Sequence, residues 1–498
     1  MNRGNAGLVI GAVLFILALL APMPEVMNPE ARRVMAVALL MATWWISEAV
    51  PIPVTALLPI ALFPSMGVMS AADVTTPYAN HIIYLFLGGF LIAVTIEKWQ
   101  LHQRIALHTV RLTGTSSNRV ILGFMLATAV LSMWISNTAT TMMMMTIGLA
   151  VISEIVHSID ADPELDINTR AGEFRFGIAL MLGIAYSASI GGVATLIGTP
   201  PNAILAGVIE STFAVTITFL DWMVFALPLS ILMLFLTWWY LTRVAHPPEL
   251  AELPGGRQII RQKLQALGPM SRQEKQVLAV FLTVALLWIV RGFIHIDALA
   301  LVTDSTIAMA GALVLFLIPV NLKQRQFLLD WQTASRIPWD ILILFGGGFA
   351  LARGFSDSGL TGIIAGQLVN MQGSDVFFVI AVVTTVVIFL TEITSNTATA
   401  SLFLPVLAAI GMAMDIHPFA LMLAAALAAS CAFMLPVATP PNAIVFSSRY
   451  VSIPQMARTG IWINLMAIVL ITLLVYAYLP LAWDIDITRI PEGLELKK

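Results

Sequence analysis

Ser136-Asn137-Thr138-Ala139-Thr140 returns 259 positions later as Ser395-Asn396-Thr397-Ala398-Thr399. A second phrase, Thr199-Pro200-Pro201-Asn202-Ala203-Ile204, returns 240 positions later as Thr439-Pro440-Pro441-Asn442-Ala443-Ile444. All four stretches are polar and break helices, and all four lie inside long apolar runs. Non-helical backbone at membrane depth survives only where it is buried in protein or lines a cavity. The spacing therefore predicts four broken segments facing one another around a ligand.

The rest of the chain supplies the membrane. Of 498 residues, 59% are hydrophobic and 11% charged, against about 25% charged in soluble domains. The net charge of −3 offers no basic surface, so nucleic acid is not expected as a partner. The lone Cys431 excludes an intrachain disulfide framework and reads as a small core thiol. Twenty-five Met and twelve Trp suit packing between membrane helices. The first apolar run, behind Arg3, could imitate a signal peptide. Its flank Pro22-Met23-Pro24-Glu25 lacks a small-x-small cleavage site, and the run reads as a first transmembrane helix.

About 20 apolar residues cross a bilayer. Candidate spans are 6–22, 33–50, 52–69, 81–100, 175–210 (interrupted), 221–244, 276–295, 302–320, 339–356, 417–447 (interrupted) and 459–482. Two further runs, 117–156 and 375–415, carry the Ser-Asn-Thr phrases near their middles and read as re-entrant hairpins of two short half-helices. With the N-terminus inside, most of the 25 basic residues fall on the inner side, including a basic stretch at 243–275. Arg32 and Arg33 fall on the wrong side. Eleven spans leave the C-terminus outside.

Leu85-Phe86-x-Gly88-Gly89-Phe90 aligns with Leu344-Phe345-x-Gly347-Gly348-Phe349 at the same 259-residue offset as Asn137 and Asn396. The shorter offset of the Thr-Pro-Pro-Asn pair is absorbed by the acidic segment from Asp160 to Glu173, present in the first half only. Three phrases in the same order in both halves, with the hairpins inserted from opposite sides, make an inverted-topology repeat. The expected fold class is an all-α polytopic membrane protein with 11 transmembrane helices and two re-entrant helical hairpins.

At a hairpin tip, unpaired backbone carbonyls meet unpaired amides. Carbonyl and hydroxyl oxygens suit a hard monovalent cation, and helix N-termini suit a carboxylate or other oxyanion. Proline lacks an amide donor and stops the preceding helix, so Pro200-Pro201 and Pro440-Pro441 unwind their spans in the middle. Gly346-Gly347-Gly348 is followed by Phe and Ala, without the Lys-Ser/Thr of a phosphate loop, and reads as close helix packing. No ATPase module is present, so an ion gradient must drive any transport. There is no Ser/His dyad, Asp pair or metal-binding His-Glu motif, and the chain is not expected to be an enzyme. Among lone residues, Glu392 lies three positions before Ser395, with either an electrostatic or a packing role open. Arg353 is a charge inside a span, functional by default or snorkelling outward. Glu48, ahead of Pro51 and Pro53, reads as interfacial, and Met142 to Met145 as packing.

These phrases resemble those of the divalent anion/sodium symporter family, solute carrier family 13, from about residue 30 to 482. The resemblance implies an elevator-type homodimer carrying C4-dicarboxylates (succinate, malate, fumarate) or citrate with sodium ions across the inner membrane, and no organic cofactor. It implies scaffold helices at 1–116 and 276–373, transport elements at 117–245 and 374–482, a cytoplasmic linker at 246–275 and a tail at 483–498. Carried over by position, one sodium site would use Ser132, Ser136, Asn137 and the Gly198 carbonyl. The other would use Thr391, Thr394, Asn396 and the Ala438 carbonyl. Substrate carboxylates would meet Asn137, Thr138, Asn396 and Thr397, with Thr199, Pro200, Thr439 and Pro440 completing the wall. A sodium-independent exchanger, a sulfate or other oxyanion permease, and a channel remain alternatives at this stage.

Overall fold

The computed structural model describes residues 3–21, 27–114, 116–161, 167–252, 256–293, 301–368, 373–491 and 494. The flank at Pro22–Glu25 and parts of the 160–173 segment, of the 357–375 loop and of the tail lie outside the described residues. The described residues are predominantly helical. In order come α1 (Arg3–Leu20), α2 (Pro29–Ser47), α3 (Ile52–Thr55), α4 (Leu58–Ser65), α5 (Ala71–Thr75), α6 (His81–Lys98) and α7 (Leu101–Thr113). Then follow α8 (Ser117–Ser132), α9 (Asn137–Asp160), α10 (Arg175–Val193), α11 (Pro200–Phe213), α12 (Phe219–Tyr240), α13 (Gly256–Ala266), α14 (Arg272–Arg291) and α15 (Asp304–Leu317). The second half continues with α16 (Trp331–Ala334), α17 (Trp339–Asp357), α18 (Leu360–Leu368), α19 (Val376–Thr391) and α20 (Asn396–Met414). It closes with α21 (Pro418–Ala429), α22 (Pro440–Ser447), α23 (Ile453–Leu473) and α24 (Leu479–Trp483). A two-stranded antiparallel ribbon, Pro319–Asn321 against Gln326–Phe327, pairs Pro319 with Phe327 and Asn321 with Gln326.

Seven helices among the described residues are long and apolar enough to cross a membrane. Both hairpins take the expected helix–break–helix form: α8 stops at Ser132 and α9 starts at Asn137, while α19 stops at Thr391 and α20 starts at Asn396. Their second arms are longer than half-helices, at 24 and 19 residues. The α9 arm gains its length from a terminal Glu154–Asp160 segment whose polar residues are largely solvent-facing. The expected continuous span 52–69 is instead split into α3 and α4. Pro59 has no amide to offer the Thr55 carbonyl four residues back, so the helix cannot continue through that turn.

The two interrupted segments form the centre of the molecule. Phe176 to Val193 in α10, and every residue of α21, are buried. A helix enclosed on all sides has no polar stripe; both helices are built from small and aliphatic residues, Ala above all in α21. Equivalent glycines of the repeat let backbones close in elsewhere, in α6 and α17. A Cβ on Gly88 would lie 2.6 Å from the Ala308 carbonyl carbon, and one on Gly347 would lie 2.4 Å from the Ala56 oxygen. Gly346 and Gly348 are covered by Tyr78 and Ser401, the close packing expected of that triplet. The repeat-related rings Phe86 and Phe345 meet edge to face at 5.0 Å, joining α6 to α17. Cys431 is fully buried, as a core thiol.

Candidate functional site

Each break in the chain has a local cause. Ser136 caps α9, its hydroxyl accepting from the Ala139 amide at 3.3 Å. Thr439 caps α22 and accepts from the Asn442 amide at 3.3 Å. Thr199 is extended at the start of α11, and Pro200 and Pro440 occupy the first helical positions, where a missing amide costs nothing. The carbonyls stranded at the preceding helix end are taken by the twin asparagines. Asn202 Nδ2 donates to Thr195 O (2.7 Å), Gly192 O (3.2 Å) and Val193 O (3.3 Å). Asn442 Nδ2 donates to Leu435 O (3.0 Å) and Ala432 O (3.1 Å). Both asparagines are fully buried, so each bond replaces water that the site excludes.

The four breaks open on one cavity of about 410 Å³, within the range of small-molecule sites, roughly 300–1,000 Å³. Ser136, Asn137, Thr138, Gly198, Thr199, Pro200, Asn396, Thr397, Ala438, Thr439 and Pro440 all line it. The N-termini of α9, α11, α20 and α22 therefore converge on a single volume. Each N-terminus carries roughly half a positive elementary charge, so four of them approximate the charge of a dianion. None of the residues lining the cavity is Lys, Arg or His.

Ser132, Thr391 and Thr394 stand behind this wall rather than in it. Ser132 bonds the Asn137 side-chain amide and donates to Ala188 O at 2.8 Å. Thr391 does the same in the second half, its hydroxyl lying within hydrogen-bond distance of Asn396 Oδ1 (2.7 Å) and Ala429 O (3.1 Å). The Asn137 amide also stands 3.2 Å from Gly198 O, and a Cβ on Gly192 would fall 2.7 Å from the Asn137 side chain. Only glycine lets the tip come this close. Thr394 turns its hydroxyl to Leu390 O (2.9 Å) and Thr399 Oγ1 (2.7 Å).

The opposite wall was not legible in the sequence. Ile52, Phe86, Phe90 and Ile341 face the polar tips, with Ser189, Ser395 and Val437 beside them. The Phe-x-x-x-Phe of the repeated Gly-Gly-Phe phrase was the available signal for two of these. Glu48 also lines the cavity; it ends α2 in a left-handed conformation at φ 50°. Arg353 lies elsewhere, paired with Asp357 at 3.1 Å and Asp73 at 3.6 Å.

A family model described as the sodium:sulfate symporter transmembrane region matches residues 3–483. The chain belongs to this family, the divalent anion/sodium symporters. Among its relatives in the family is the sodium-dependent dicarboxylate transporter SdcS of Staphylococcus saprophyticus, 47% identical over 489 residues, covering 97% of this chain and 93% of the relative. SdcS of Staphylococcus aureus is 45% identical, covering 97% and 92%. Two solved transporters share the fold at low identity. Alcanivorax borkumensis YdaH superposes with a TM-score of 0.55 at 14% identity, covering 97% of both chains. Neisseria gonorrhoeae MtrF, from a class of antimetabolite efflux pumps, gives 0.54 at 11%, covering 95% of both. Members of the divalent anion/sodium symporter family are transporters, not enzymes.

Proposed function

We propose that this protein is a secondary transporter that imports C4-dicarboxylates, succinate, malate and fumarate among them, or citrate, driven by sodium. The convergence of four helix N-termini on one cavity lined by no basic side chain carries the reading. It supplies about two positive charges' worth of amide dipole without a cation that would hold the anion too tightly. The names of the SdcS relatives point the same way. The two cations would sit behind the anion, one with Ser132, Ser136, Asn137 and Gly198, the other with Thr391, Thr394, Asn396 and Ala438. Asn137 and Asn396 then touch both anion and cation, which links the two bindings.

The architecture that serves this function is an inverted repeat of eleven spans with the N-terminus inside and the C-terminus outside. Segments 117–245 and 374–482 move against a scaffold of 1–116 and 276–373, in a homodimer of the inner membrane. Nearly all the polar groups of the cavity belong to the moving segments. Those facing them from the scaffold are mainly the apolar Ile52, Phe86, Phe90 and Ile341. A ligand held from one side can travel with that side along an apolar wall, which is the requirement of an elevator.

The deciding experiment is uptake of labelled succinate into proteoliposomes under an inward sodium gradient, with choline as the control. Accumulation only with sodium is expected. Equal uptake in choline would falsify symport and leave exchange. Competition by sulfate, malate and citrate then ranks the anions; a cavity of about 410 Å³ has room for more than an inorganic oxyanion.

A further inference from the structure

The two halves hold their broken helices to their hairpins through equivalent residues but different chemistry. In the first half the keystone is Thr195. Its carbonyl accepts from the Gly198 amide at 3.3 Å and from Asn202 Nδ2 at 2.7 Å. Its hydroxyl donates to Met133 O, in the hairpin break, at 2.5 Å. In the second half the keystone is Leu435, 240 residues on. Its carbonyl likewise accepts from the Ala438 amide at 3.2 Å and from Asn442 Nδ2 at 3.0 Å. Leu435 has no hydroxyl, and the tether is made by the residue 259 positions after Met133, which is Glu392.

Glu392 is 3% exposed. One carboxylate oxygen accepts from the Phe433 amide (2.7 Å), the Met434 amide (2.9 Å) and Asn464 Nδ2 (2.7 Å); the other accepts from the Leu435 amide at 3.0 Å. Past the first turn of a helix, three consecutive amides can turn to one carboxylate only if they give up their helical acceptors. Accordingly α21 ends at Ala429, whereas α10 runs to Val193, four residues further along the repeat. The carboxylate thus stands in for one helical turn's worth of carbonyl acceptors. Among the described residues no basic side chain is bonded to it.

We propose that Glu392 is the positioning residue of the second cation site. Its charge holds the Phe433–Leu435 amides, and through Leu435 it sets where the Ala438 carbonyl points. It also puts a fixed negative charge behind that site, while the first half has only the neutral Met133. The second site is therefore the tighter of the two. This rests on the sodium-coupled reading above and adds an inequality between its two cations.

The test uses the full chain carrying Glu392→Gln, which keeps the size but replaces one accepting oxygen by a donor. In proteoliposomes the sodium concentration for half-maximal succinate uptake should rise on the order of ten-fold, the scale of one charge-assisted hydrogen bond. The succinate KM at saturating sodium should stay unchanged. In purified protein the thermal stabilisation by NaCl over choline chloride should shrink. A merely structural role would lower Tm equally in both salts and leave the sodium dependence as in wild type, and that result overturns the proposal. A wild type that ignores sodium in both assays removes the symport reading itself, and this one with it. Should Glu392→Gln not fold, hydrogen exchange on the wild type in choline decides. Slow exchange at Phe433, Met434 and Leu435 supports the clamp and fast exchange rejects it. Asn464→Ala, which removes one donor, should give a smaller shift of the same sign.

Discussion

Thr391 donates its hydroxyl to Asn396 Oδ1 at 2.7 Å across the tip of the second hairpin, the same five-residue reach by which Ser132 meets Asn137 in the first. In each case a hydroxyl at the end of one helix orients the amide that begins the next. Both asparagines line the cavity, and the Asn137 amide also stands 3.2 Å from the Gly198 carbonyl. An asparagine so placed is shared by whatever anion and cation bind there, and coupling needs such a shared group.

Asn137→Ala and Asn396→Ala should each abolish sodium-driven uptake. Both side chains sit at the cavity wall rather than in the apolar core, so both variants should elute as the wild type does in size-exclusion chromatography. Wild-type uptake by either would reject its place in the site.

Asn202→Leu should cost about 2 kcal/mol of stability, the scale of buried acceptors left unpaired. It strips the donor from Thr195 O, Gly192 O and Val193 O while filling the same space. Thermal unfolding in detergent measures this, and an unchanged Tm would show that other donors replace the amide.

Arg104→Met should destabilise by about 3 kcal/mol, because it leaves a buried carboxylate without its partner. The guanidinium reaches Glu274 at 2.7 Å and the carbonyls of Gly268 and Leu267 at 3.0 and 3.3 Å, tying α7 to the start of α14. Arg104→Met with Glu274→Leu should recover part of the loss, read as a double-mutant cycle.

His246, just past α12, bonds Thr459 Oγ1 at 2.9 Å. Burial, with the Arg175 charge adding to it, pushes its pKa down from 6.5 to about 4. The unfolded chain therefore binds this proton first as pH falls. The stability is whole above about 6.5 and declines toward about 4, at no more than about 1.4 kcal/mol per pH unit. His246→Gln should flatten that part of the Tm–pH curve; an unchanged slope would assign the dependence to other groups.

The positions of the breaks were readable because proline and capping residues act locally. Pro200 and Pro440 start helices wherever they stand, and the twin phrases announced themselves by repetition. The run 52–69 shows the limit of the same logic: its prolines were visible, but only the fold showed the chain splitting at Pro59. In the sequence Glu392 is visible only as a neighbour of Ser395, since the amides it binds lie 41 to 43 residues downstream. Arg104 and Glu274, 170 residues apart, left no trace in composition or period.

Sequence alone determined that the chain is a duplicated membrane protein, that each half carries one hairpin and one interrupted helix, and where those elements break. Local stereochemistry and hydropathy decide such things, and both are written residue by residue. Tertiary structure decided that the four breaks share one cavity, that Phe86, Phe90 and Ile341 wall it, and that a carboxylate tethers one half where a hydroxyl tethers the other. These depend on which buried donors and acceptors meet when distant helices pack, and in a dry interior each group must find its partner there.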